Sequence, residues 1–180
     1  IEQLSREVED PISIDTSKAQ VAHQAWLAGA SIVNDVTGLM GDPDMIDVCR
    51  KSDCGLVVMH MQGKPQTMQN DPTYDNVVAE ICNFFRDRLT TLNAAGIDLQ
   101  RVVLDPGIGF GKTAQHNIEI LASIKSFHEL GRPLLIGHSR KRFLKKVLGK
   151  DIEAREFGTV GVSVALAHQS VDILRVHDVG

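Results

Sequence analysis

This 180-residue sequence has no basic excess: 19 Lys and Arg stand against 23 Asp and Glu, a formal net charge of −4. A general nucleic-acid surface, which needs clustered cations to neutralise phosphates, is therefore not expected. Long apolar runs are missing as well, and none approaches the roughly 18 residues that a membrane helix needs. The first ten residues, IEQLSREVED, are charged throughout and lack the apolar stretch of a secretory leader. Cysteine is scarce: Cys49, Cys54 and Cys82 form neither a C-x-x-C pair nor an even framework. They read as buried thiols in a reducing, cytoplasmic setting. No internal repeat, low-complexity tract or interdomain linker interrupts the chain. With 43% hydrophobic and 23% charged residues, it has the make-up of one globular domain with a core.

Six short runs rich in Val and Ile, at 11–15, 31–35, 55–60, 101–105, 133–139 and 173–177, read as strands. They alternate little, as strands buried on both faces should. Helical patterns lie between them, over 17–28, 43–52, 74–95, 116–130, 140–148 and 155–170. Alternation at roughly 30 residues per unit predicts an α/β fold of parallel strands joined by crossover helices. A complete (β/α)8 barrel needs about 250 residues. The expectation is a partial TIM (β/α)8 barrel of about six strands, with residues 1–180 forming a single domain truncated at both ends. An open, doubly wound sheet is the alternative.

Polar residues recur where these strands end: Asp15, Asn34 with Asp35, His60, Asp105, Ser139, and Arg175 with His177. In a parallel sheet or barrel those ends share one side, where ligands bind. Asp15, Asn34 and Asp105 are rich in acceptors and suit an N–H edge of guanidine type, such as that of a 2-amino-4-oxo pyrimidine ring. After Asp105, glycines at 107, 109 and 111 would let backbone and the Phe110 ring approach a flat heterocycle. The run is not a phosphate-binding P-loop, because Pro106 stands where its first glycine belongs. Nor is it a dinucleotide loop, because Lys112 takes the place of the third glycine. Lys141, Arg175 and His177 follow on later units and suit a phosphate or pyrophosphate. Arg140, Arg142, Lys145 and Lys146 read as a solvated face. Metal-ligand spacing is absent. An acidic wall for a base-like ring and a cationic wall for a leaving anion make a transferase layout.

The segments SIDTSK (13–18), IVNDV (32–36), VVMHMQGKPQTMQ (57–69), LDPGIGFGK (104–112), GHSRK (137–141) and LRVHDV (174–179) resemble, in order and spacing, the motifs of the dihydropteroate synthase family. The resemblance spans nearly the whole chain. It implies a (β/α)8 barrel that joins p-aminobenzoate to 7,8-dihydropterin-6-ylmethyl diphosphate, a folate-synthesis step that sulfonamides target. It implies that Asp15, Asn34, Met59, Asp105, Phe110, Gly137 and Lys141 bind the pterin, with Asp15, Asp105 and Lys141 serving the reaction. Arg175 and His177 would hold the diphosphate, and Ser139 and the stem of Lys141 would lie beside p-aminobenzoate. His60 reads as a packing or supporting histidine.

Two loops of the family are absent, the N-terminal Asn-Val-Thr-Pro-Asp-Ser-Phe-Ser and the later Ser-Thr-Arg-Pro. The first supplies the asparagine for Mg2+, so no metal ligand is expected within this chain, and the piece alone is expected to be inactive. The family also implies a homodimer of the full-length protein. His138 stands where many relatives carry an apolar or neutral residue. A pterin-binding methyltransferase shares the pterin-reading groups but does not need the cationic rim.

Overall fold

The Val- and Ile-rich runs pair side by side in the order in which they occur along the chain. The computed structural model describes residues 1–63, 66–149 and 154–179. Helix α1 (Leu4–Glu7) precedes β1 (Ser13–Asp15), α2 (Ala19–Leu27), β2 (Ile32–Asp35), α3 (Met45–Lys51), β3 (Gly55–Met59), α4 (Val77–Ala94) and β4 (Val102–Asp105). Then follow α5 (Ala114–Ala122), α6 (Ile124–His128), β5 (Leu135–Ile136), α7 (Arg142–Leu148), α8 (Ala154–His168) and β6 (Ile173–Leu174). Strands β1 to β4 form a parallel sheet in chain order, and β5 pairs with β6, also in parallel. A bridge between Leu104 and Leu134, next to a 2.9 Å bond from the Leu104 N–H to the Pro133 carbonyl, joins the two. Six parallel strands thus succeed one another as the staves of a (β/α) barrel do.

Register decides which side chains meet. Asp15 pairs with Asn34, Asn34 with Val57, and Met59 with Asp105. Paired residues share a face of the sheet, as do residues two apart on one strand. Asp15, Asn34, Met59 and Asp105 therefore lie on one face. Val33, Asp35, Leu56, Val58, Val102 and Leu104 lie on the other, each exposed by 1% or less. That second face packs under Ile81, Phe85 and Leu92 of α4, Ile120 of α5, and Ile124 and Phe127 of α6. Burying each of these large side chains stabilises the fold by about 1.5–3 kcal/mol.

Several expectations need correction. The final two strands are only two residues long: Arg175 N–H to Ile136 C=O at 3.1 Å is their last rung. Residues 137–139 and 175–177 leave the ladder there and are free to shape a cleft. The helix expected over 116–130 is two helices, broken at Ser123 with φ −116° and ψ 27°. Ile120, Ile124 and Phe127 keep helical spacing across the break, so the apolar pattern hides it. Strands β1 and β6 are not buried on both faces: Ser13 and Asp15 are exposed, and Ile173 is 40% exposed. Each has a single strand neighbour among the described residues, which leaves an open edge. Asp35 faces the helices, where its Oδ1 accepts from the Thr37 N–H and hydroxyl at 2.8 and 2.7 Å.

Arg101 lies outside β4, in a 3-10 turn over Leu99–Arg101. Its guanidinium donates to the Cys49 carbonyl at 2.7 Å and to the Ser52 carbonyl, closing the C-terminal end of α3. Arg101→Ala should lower the unfolding free energy by about 1–2 kcal/mol in urea denaturation. An unchanged midpoint would show that the cap is dispensable.

Candidate active site at the strand ends

Asp105, the last residue of β4, is 1% exposed. Its Oδ1 accepts the Gly107 N–H at 2.8 Å, and no hydrogen bond among the described residues uses Oδ2. Burial pushes this carboxyl above the usual range; the Gly107 bond and the charges of Lys141, Arg175 and Lys112 pull it back. Asn34 is 4% exposed, and its Nδ2 donates to Asp15 Oδ2 at 3.0 Å. Its Oδ1 is buried without a partner. Arg175 Nη1 stands 3.4 Å from the same Asp15 Oδ2, although 160 residues separate the two in sequence. The ends of β1 and β6 therefore meet across the site without pairing. The result is a set of unused acceptors, Asn34 Oδ1 and Asp105 Oδ2, beside Met59, which is 1% exposed. Unused buried acceptors are costly unless a donor arrives from elsewhere.

The loop after Asp105 is held from several sides. Lys112 is 3% exposed, and its ammonium donates to His60 Nδ1 at 3.0 Å, the His60 carbonyl at 3.3 Å and the Phe110 carbonyl at 3.0 Å. An ammonium has three N–H groups, so all are met. Burial brings Lys112 down to about 7, against the pull of Asp105. Burial and the Lys112 charge bring His60 down to about 3, so its ring is neutral and Nδ1 is the acceptor. Asn117 Oδ1 accepts the Gly109 N–H at 2.8 Å, and the Tyr74 hydroxyl donates to the Gly111 carbonyl at 2.9 Å. Thr113 then caps α5 in a reciprocal box with His116.

The glycines of this loop serve the protein's own packing. Gly107 has φ +71°, and a Cβ there would lie 2.0 Å from the His60 carbonyl oxygen. A Cβ on Gly111 would lie 2.5 Å from the Gln62 carbonyl oxygen. For Gly107 and Gly111 the structure gives a cause within the protein, the close passage of the segment after β3, whereas a Cβ on Gly109 would lie 3.1 Å from Lys141 Cδ.

Opposite the acceptors lies a cleft of about 380 Å³ lined by Phe110, Gly137, Ser139, Lys141, Arg175 and His177. Lys141 reaches the Ile108 carbonyl and sits 4.6 Å from the centre of the Phe110 ring. Burial lowers it to about 8, with Asp105 opposing and Arg175 adding to the shift. A Cβ on Gly137 would lie 3.2 Å from Arg175 Nε and Nη2, so the missing side chain gives the guanidinium its place. Ser139 Oγ contacts His177 Nδ1 at 2.9 Å. A second cavity of about 740 Å³ shares Phe110 and Lys141 and adds Lys112, Arg140, Arg142 and Lys146.

The strand-end residues named from the sequence thus converge, but not on one surface. Phe110, Gly137, Ser139, Lys141, Arg175 and His177 line the smaller cleft; Asp15, Asn34, Met59 and Asp105 do not, and connect to it through Arg175. Lys112, Tyr74 and Asn117 went unrecognised. Lys112 carried a signal, a cation directly after a glycine run, once the phosphate reading was set aside. Arg140 is exposed as expected but pairs with Glu156 at 2.7 Å. Among the described residues no three His, Cys, Asp or Glu side chains gather closely enough to hold a metal ion. These residues do not by themselves fit a magnesium site. No described helix is long and apolar enough to cross a membrane.

Gly107→Ala should cost about 3 kcal/mol or more, because both its backbone angle and the His60 carbonyl oppose a side chain. Urea denaturation reads this directly, and a loss below about 1 kcal/mol would contradict the packing argument.

The pterin binding enzyme family matches residues 1–177. The chain is 41% identical to dihydropteroate synthase of Synechocystis sp. over 180 residues, 99% of this chain. It spans about 62% of that relative's length. It superposes on Yersinia pestis dihydropteroate synthase in complex with a sulfonamide drug with a TM-score of 0.94 at 38% identity, covering 99% of this chain and 65% of that one. Xanthomonas albilineans dihydropteroate synthase in complex with 7,8-dihydropteroate gives a TM-score of 0.91 at 38% identity, covering 99% of this chain and 65% of that one. The same protein has been solved with 4-aminobenzoic acid. With its strand-end acceptors, its glycine loop and a match over nearly its whole length, the chain belongs to the family of pterin binding enzymes.

Proposed function

We propose that this chain carries the pterin and diphosphate sites of a dihydropteroate synthase, which condenses p-aminobenzoate with 7,8-dihydropterin-6-ylmethyl diphosphate to give 7,8-dihydropteroate and diphosphate. The observation that carries the reading is a pair of unused acceptors, the buried Asn34 Oδ1 and the Oδ2 of the nearly buried Asp105, beside a cationic cleft. The 2-amino and ring N–H groups of a pterin present adjacent donors, which suit Asp105. The Xanthomonas albilineans structures with 4-aminobenzoic acid and with 7,8-dihydropteroate support one substrate and the product.

The chemistry needs no nucleophilic side chain. The bond between the pterin methylene and the diphosphate oxygen breaks, and its electron pair leaves with the diphosphate. The amine nitrogen of p-aminobenzoate supplies the new pair to the methylene carbon and then releases a proton to solvent. Asp15, next to Arg175 and Asn34, stabilises positive charge spread over the pterin ring. Arg175, His177 and Lys141 receive the anion. The larger cavity, with Arg142 and Lys146 at its edge, suits the p-aminobenzoate carboxylate. Any Mg2+ would be held by donors other than these residues.

A homodimer is part of the proposal. Phe157, Val160 and Val164 of α8 are 83%, 61% and 53% exposed and lie on one helix face, beside Val147 and Leu148 of α7. A cytoplasmic setting agrees with three free, buried cysteines, of which burial pushes Cys49 up to about 12.

Asp105→Asn should weaken binding of 6-hydroxymethylpterin by roughly 10- to 100-fold in calorimetric titration, the worth of one charge-assisted pair. Equal affinities would refute the reading. A second expectation concerns pH. Lys141 loses its charge as pH rises through about 8, so binding of inorganic pyrophosphate should weaken across that range. Lys141→Arg, whose side chain stays charged, should flatten this limb. The same slope in both proteins would remove Lys141 from the anion site.

A further inference from the structure

Ser139 was expected beside p-aminobenzoate, yet its hydroxyl is committed elsewhere. It lies three residues beyond β5 and is 6% exposed. Both of its hydrogen bonds go to His177: the peptide N–H at 3.3 Å and ring Nδ1 at 2.9 Å. A hydroxyl has one proton and two lone pairs, and a peptide N–H can only donate. One lone pair of Oγ is thus taken by the His177 backbone. Two arrangements remain for the ring contact. If Nδ1 carried a proton and donated it, the Ser139 proton would need another acceptor, and none of its hydrogen bonds provides one. A nearly buried donor would be left unmade, which is unfavourable. If Ser139 donates to Nδ1, every group is satisfied and the neutral ring carries its proton on Nε2.

We propose that Ser139 is a positioning residue that holds His177 in the Nε2–H tautomer, so that this N–H donates to an anionic oxygen in the cleft shared with Lys141 and Arg175. The two bonds fix different things. The contact to the peptide N–H holds the backbone where it leaves β6, and the contact to Nδ1 sets the ring's rotation and tautomer. Among the described residues Nε2 has no hydrogen-bond partner, and His177 lines the cleft. This inference rests on the proposed diphosphate site, but its first readout does not.

That readout is long-range 1H–15N NMR of the 180-residue chain without ligand, at mildly alkaline pH. The expected spectrum has an unprotonated Nδ1 and a protonated Nε2 for His177. Ser139→Ala should replace it with mixed tautomers, and Ser139→Thr, which keeps the hydroxyl, should restore it. Inorganic pyrophosphate, titrated by calorimetry, should bind about tenfold more weakly to Ser139→Ala than to the unaltered chain. A protonated Nδ1 in the unaltered chain overturns the proposal. So does a Ser139→Ala protein with the same tautomer, or one with a changed tautomer and unchanged pyrophosphate affinity. If the tautomer responds as expected while the unaltered chain binds no pyrophosphate, the anion role of His177 is overturned together with the diphosphate site; the tautomer result identifies that case.

Discussion

A carboxylate withdrawn from water has to be answered by donors and positive charge, and Asp105 imposes that demand on everything around it. One oxygen is met by the Gly107 N–H, and Lys112, Lys141 and Arg175 surround the group with charge. The loop after β4 follows from this. It must turn back over the carboxylate, which brings Gly107 against the His60 carbonyl and Gly111 against the Gln62 carbonyl. Lys112 then ties both segments together through its contacts to His60 and Phe110. The second oxygen of Asp105 makes no hydrogen bond among the described residues, and it is the acceptor that the proposed pterin site would use.

Two kinds of chemistry are kept apart and yet joined at one point. Acceptors from β1, β2 and β4 lie on one side, and cations from the segments after β5 and β6 on the other. Arg175 bridges them through Asp15 at 3.4 Å. Both partners are substantially exposed, so the contact adds little to stability. Its role is geometric: it sets the cation that would meet a leaving anion next to the carboxylate that would meet the electron-poor ring.

The strand ends were legible because a parallel sheet repeats with a period of two. Asp15, Asn34, Met59 and Asp105 fall into register on one face, and an apolar run capped by a polar residue reveals such a position without coordinates. The reason for Gly107 and Gly111 was not legible, since it depends on a backbone segment 47 and 49 residues earlier that the loop happens to pass. The same holds for Lys112, whose partner His60 sits 52 positions away, and for Ser139, whose partner His177 sits 38 away. Periodicity also failed locally. The break at Ser123 preserves the apolar face, and the exposed edges β1 and β6 have the same composition as the buried strands.

The central claim is that unused acceptors at neighbouring strand ends read the donor edge of a pterin. Titrating the chain with 6-hydroxymethylpterin and with its 2-deamino analogue tests it from the ligand's side. The account predicts that removing the exocyclic amine weakens binding by roughly 100-fold, because the nearly buried Asp105 then loses one of the two donors that answer it. Equal binding of the two compounds would contradict it.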